Sequence, residues 1–114
     1  MTFAEYSESV KGFIPKDLFK HKEHMLLHSV FGMNSETGEV AGIIQKTYQN
    51  RKIEEEHLMK EIGDVLWFLN EAAISLGFES LDAIAELNIT KLTARYHGKE
   101  YNANGDLHRV EGDV

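Results

Sequence analysis

The sequence predicts an all-α fold: a four-helix bundle whose helices also associate, through their faces, with other copies of the chain. Three observations carry this. Pro15 is the only proline, so no proline breaks the chain from residue 16 onward. β-branched residues are sparse and form no sustained period-2 run before the tail. Apolar residues recur at helical spacing over long segments. At 114 residues the chain is expected to make one domain and to bury roughly 60–70% of its unfolded surface.

The first helix is predicted to start after Thr2. Thr2 and Glu5 have capping-box spacing, and Phe3, Tyr6 and Val10 share a face. Gly12 to Asp17, around Pro15, reads as a connection. A second helix is expected from Phe19 to Asn50, with Leu27, Val30, Phe31, Val40, Ile43, Ile44 and Tyr48 as its apolar set. It contains Gly32, Gly38 and Gly42, each costing about 1 kcal/mol relative to Ala in a helix. Close approach of a neighbouring helix, a ligand, or a break near Gly32–Ser35 would account for them. The third helix should run from Glu54 to Leu76, burying Leu58, Ile62, Val65, Leu66, Leu69, Ala72, Ala73 and Leu76, with Gly77 as its stop. Ser80 can cap a fourth helix that reaches Tyr96, with Asp82 suited to its dipole and Leu81, Ile84, Ala85, Ile89 and Leu92 inward. Residues 1–97 are thus expected to form the helical domain and 98–114 a polar extension. Asn104-Gly105 signals a hairpin turn there, and a frayed tail is the other reading.

The net charge of −7 disfavours passive binding to a nucleic-acid polymer, which needs a basic face. The absence of Cys excludes disulfides, thiolate zinc sites and Cys nucleophiles. No apolar run has the length of a membrane span, and the N-terminus lacks the basic-then-apolar pattern of a secretory signal. A cytoplasmic setting without membrane association is therefore the expectation.

Glu36 and Glu39 are three residues apart, as are Glu61 and Asp64. Each pair occupies one face of a helix, and the two helices should be antiparallel neighbours. Four facing acids repel, at about 4 kcal/mol per pair for a separation of about 4 Å and an effective dielectric of about 20. A hard divalent cation removes that penalty, and an all-oxygen donor set suits Mg²⁺ or Mn²⁺. Gly38 and Gly63 lie inside the two pairs and leave room for a metal-bound phosphate. Asn88, Lys91 and Arg95 share a face of the fourth helix, where Lys and Arg can bind phosphate oxygens. Tyr96 reads equally as core or ligand. Trp67, Phe68 and Asn70 read first as core, with contact to a base or sugar as the other role. His21, His24 and His28 have one-face spacing but read first as exposed polar or capping residues.

The segments Glu36-Thr-Gly-Glu39 and Glu61-Ile-Gly-Asp64 resemble the paired acidic signature of the MazG-like, all-α nucleotide pyrophosphohydrolases. The resemblance extends over His28 to Val40, over Glu61 to Leu69 and over Asn88 to Tyr96, and it covers roughly residues 1–97. Where many members continue Arg-Tyr-Pro, this chain has Arg95-Tyr96-His97-Gly98. The resemblance implies hydrolysis of a nucleoside triphosphate between its α and β phosphorus atoms. It assigns Glu36, Glu39, Glu61 and Asp64 to Mg²⁺, with Mn²⁺ as a substitute, and Glu36 is favoured as the group that takes the proton from water. It places Asn88, Lys91, Arg95 and Tyr96 on substrate and His28 at the edge of the pocket. It also implies a homodimer or homotetramer, which the apolar helix faces suggest independently. The competing readings are a non-catalytic helical module that binds nucleotide or metal, and a di-iron bundle built on Glu54 and His57.

Overall fold

The computed structural model describes residues 1–49, 52–97 and 100–107. The chain divides into two compact units that meet at Leu81 and Asp82.

In the first unit, α1 spans Phe3–Val10. The Thr2 hydroxyl accepts from the Glu5 amide and the Glu5 carboxylate accepts from the Thr2 amide, both at 3.1 Å. This reciprocal cap satisfies two donors that a helix start otherwise leaves open. A 3-10 turn at Lys11–Phe13 and the buried Ile14 follow. Pro15 then starts the short α2, Lys16–Lys20, where a plain connection was expected. His21 is extended and separates α2 from α3, Lys22–Thr47. The second predicted helix is therefore two helices, and α3 runs without a break through Gly32–Ser35. The reason for Gly32 is close approach: a Cβ there would collide with the Phe68 ring. Gly38 and Gly42 have open space instead.

The next helix, α4, spans Glu55–Ser75. It ends as expected at Gly77, whose φ of +91° suits a residue without Cβ. The Phe78 amide donates to the Ala73 carbonyl and the Gly77 amide to the Ile74 carbonyl, both at 3.0 Å, completing a Schellman stop. The Ser7 hydroxyl donates to the Glu79 carbonyl at 2.6 Å and ties α1 to the segment after α4.

The α3 and α4 helices pack antiparallel. Ser29 meets Glu71, Gly32 meets Phe68, and Glu36 meets Asp64, so facing residues carry numbers that add to 100. Met25, Ser29, Gly32 and Glu36 on α3 are spaced by four, three and four, with Ile43 two turns further on, and His57, Glu61, Asp64, Phe68, Glu71 and Ser75 on α4 alternate steps of four and three. Such steps keep one stripe facing a partner helix along its length. This seam is largely polar, which corrects the predicted core. Of the apolar set expected on α3, only Ile43 is buried; Leu27, Val30, Phe31, Ile44 and Tyr48 are exposed. On α4, Ala72 and Ala73 are buried as expected, but Ile62, Leu69 and Leu76 are exposed and Asn70, Glu71 and Ser75 are buried in their place. Val40, Leu58, Val65 and Leu66 are half-buried, so the two helices meet through a stripe richer in polar groups than expected while part of the predicted apolar set faces outward.

In the second unit, α5 spans Asp82–Tyr96. Ile84, Ala85 and Leu92 are half-buried, whereas Ile89 is 62% exposed despite its expected inward position. Residues Ala103–Leu107 form the short helix α6, not a hairpin. The Asn102 side chain accepts from the Gly105 amide at 2.6 Å and donates to the Tyr96 carbonyl at 3.2 Å, which caps α6 and ties it to α5. Gly105 lies against the Arg95 carbonyl with no space for a Cβ. There is no strand among the described residues. The rest of the predicted tail, 98–99 and 108–114, lies outside them. No described helix is long and apolar enough to cross a membrane.

Candidate metal centre

The antiparallel register sets α3 acids against α4 acids. One carboxylate oxygen each from Glu36, Glu61 and Asp64 lies within 4.8 Å of the others. Glu36 and Glu61 are half-buried and Asp64 is exposed. The crowding has an electrostatic signature. The Glu36 carboxyl is raised above its ordinary value, first by burial, then by the charges of Asp64, Glu61 and Glu39, and by a hydrogen bond with Glu61. Like charges this close disfavour full ionisation of Glu36, and a bound cation would relieve that repulsion. Three oxygens converging from two helices fit a hard divalent ion. Glu39 is exposed and outside this trio, although its charge reaches Glu36. Gly38 and Gly63 leave open space beside the acids.

Two neighbours of the trio were not assigned to it from the sequence. The His57 ring shares a 3.1 Å hydrogen bond with Glu61, one turn along α4. The Tyr6 phenol is raised, first by burial and second by the negative charge of Asp64, so α1 flanks the acids. The histidine was legible in its i, i+4 spacing. The tyrosine was not, because nothing local in the sequence brings α1 to α4.

Further along the seam, Glu71 is fully buried. Its Oε1 lies 2.6 Å from His28 Nδ1 and accepts from the Ser29 hydroxyl at 2.9 Å, while its Oε2 is without a partner among the described residues. The His28 ring stands 5.6 Å from that of Phe68 and 6.5 Å from that of Trp67. Asn70 is also fully buried, and neither atom of its amide has a described partner. The His21 and His24 rings are 5.0 Å apart and both residues are exposed.

On α5, Asn88 is exposed and Lys91, Arg95 and Tyr96 are half-buried. The Arg95 guanidinium lies 5.8 Å from the centre of the Tyr96 ring, which is 5.3 Å from that of Tyr101.

The model of the MazG nucleotide pyrophosphohydrolase domain matches residues 26–98, which is 73 of the 114 residues and holds both acidic pairs and all of α5. No curated protein and no solved structure matches the chain. With the matched stretch spanning well over half of the sequence, the chain belongs to the MazG nucleotide pyrophosphohydrolase domain family.

Proposed function

We propose that the chain is a metal-dependent nucleoside triphosphate pyrophosphohydrolase that opens the α–β phosphoanhydride bridge and yields a nucleoside monophosphate and pyrophosphate. The observation that carries this reading is the convergence of Glu36, Glu61 and Asp64 from two antiparallel helices. These residues, with Glu39 one turn from Glu36, would hold Mg²⁺, or Mn²⁺ in its place. The bound ion offsets the negative charge of the polyphosphate and polarises its P–O bonds. Glu36 is the residue assigned to take the proton. A water oxygen forms the new bond to phosphorus, one P–O bond of the bridge breaks, pyrophosphate leaves, and the proton of the water passes to Glu36. The position of Glu36 supports the assignment: it begins the acidic motif and its carboxylate lies within the trio. Asn88, Lys91, Arg95 and Tyr96 on α5 are proposed to bind substrate, the lysine and arginine through phosphate oxygens.

The exposed apolar faces of α3 and α4 favour a homodimer or homotetramer. Phe31 is 67% exposed and Ile62 is 51% exposed, more than isolated surface residues require on two adjacent helices.

Incubation of the chain with Mg²⁺ or Mn²⁺ and a panel of ribo- and deoxyribonucleoside triphosphates tests the function. Release of pyrophosphate with the matching monophosphate, abolished by a chelator, is the expected result. Binding of nucleotide without turnover in every combination would make the chain a binding module.

A further inference from the structure

A cavity of about 760 Å³ lies where α3 ends and α4 begins, lined by Ile43, Lys46, Lys52, Ile53, Glu54 and His57. It continues the α3–α4 seam: Ile43 and His57, and Lys46 and Glu54, obey the same register as the acids. His57 joins the two places. It lines the cavity, and its ring is hydrogen-bonded to Glu61, a member of the acidic trio. Four residues of α-helix cover about 6 Å, less than the length of a diphosphate with its metal-bound neighbour.

The lining is unusual for a chain of net charge −7. With His57 uncharged it carries two positive charges against one negative, on Glu54. Lys11 and Lys60 are spent on Glu8 and Glu56, at 3.9 and 3.0 Å. Neither Lys46 nor Lys52 has a carboxylate within 4.0 Å among the described residues. Both are on flexible stems that bring an ammonium to a phosphate as a point charge, and Ile43 and Ile53 give the cavity an apolar wall that strengthens such contacts.

We propose that this cavity is a subsite for the terminal diphosphate, binding the β- and γ-phosphates of the substrate and then the pyrophosphate product through Lys46 and Lys52. The inference rests on the proposed hydrolase reading and adds a direction to it. Phosphates extend from the acidic trio toward the start of α4, and the nucleoside extends the other way along the seam, toward His28, Trp67 and Phe68.

Titration calorimetry of the full chain with pyrophosphate in excess Mg²⁺ tests it, alongside turnover of the triphosphate panel. Lys46→Ala/Lys52→Ala is compared with Lys16→Ala/Lys20→Ala, which removes the same two charges from the exposed α2. The subsite predicts at least tenfold weaker pyrophosphate binding in the first variant and less than a twofold change in the second, both retaining helical circular dichroism. Unchanged affinity in the first, or equal loss in both, overturns it. If the wild type turns over triphosphates while Lys46→Ala/Lys52→Ala binds pyrophosphate normally, the subsite falls and the hydrolase stands. Lysine-dependent pyrophosphate binding without turnover of any triphosphate leaves the anion site and removes the hydrolase.

Discussion

Glu36 and Glu71 are both carboxylates on the α3–α4 seam, and their surroundings ask different things of them. Glu36 is crowded by acids, which raise its carboxyl. A raised carboxyl binds more protons in the folded than in the unfolded chain, so stability falls as pH rises from the ordinary glutamate range, about 4.3, through the raised value. Metal-free protein should therefore lose stability over that interval in urea melts at successive pH values, and Glu36→Gln should remove that part of the slope. A divalent ion acts oppositely: at about 100 times its Kd it adds about 2.7 kcal/mol. Asp64→Asn should lower turnover by about a hundredfold or more, a loss equivalent to about 2.7 kcal/mol, with the helical circular dichroism unchanged. Glu71 has instead His28 and Ser29. His28→Ala leaves a buried acceptor with one partner fewer and should cost about 1–3 kcal/mol in a urea melt, with Glu71→Gln costing less. The acidic pairs were legible in the sequence because i, i+3 spacing is local. The His28–Glu71 contact was not, because it joins residues 43 apart.

At the scale of elements, helix positions followed from caps and stops, and helix faces did not. Thr2 and Gly77 act within a few residues of themselves, so α1 and the end of α4 were close to expectation, whereas the short α2 after Pro15 was not. Facing was misassigned because apolar periodicity reveals that a stripe is to be covered, without saying by what. Much of the expected stripe on α3 and α4 turned outward, although Ile43, Ala72 and Ala73 stayed buried, and serines, acids and Gly32 joined the contact between the helices. The α6 helix shows a related limit. Asn104-Gly105 has the chemistry of a hairpin turn, but Asn102 caps a helix there and Gly105 is needed for close approach to Arg95. The glycines of α3 separate these causes. Gly32→Ala should destabilise by about 1–3 kcal/mol, since the new methyl overpacks against Phe68. Gly38→Ala has open space and should stabilise by about 0.5–1 kcal/mol. Thermal melts of the two variants check the opposite signs.

At the scale of the whole molecule, the two helices that bring the acids together also expose Leu27, Phe31, Met59 and Ile62. These exposed apolar residues are the support for the proposed association with another copy of the chain. Light scattering should give a mass of two or four chains, and Phe31→Lys with Met59→Lys should reduce it to one. A single-chain mass for the wild type at micromolar concentration would contradict this. The proposed function depends on a narrower point, that one divalent ion would be shared by α3 and α4. Manganese binding to metal-depleted protein, followed by the loss of its free paramagnetic signal, measures it most directly. Saturable binding that weakens at least tenfold when either Glu36 is changed to Gln on α3 or Asp64 to Asn on α4 is the predicted result. Binding that survives both substitutions made together would contradict it.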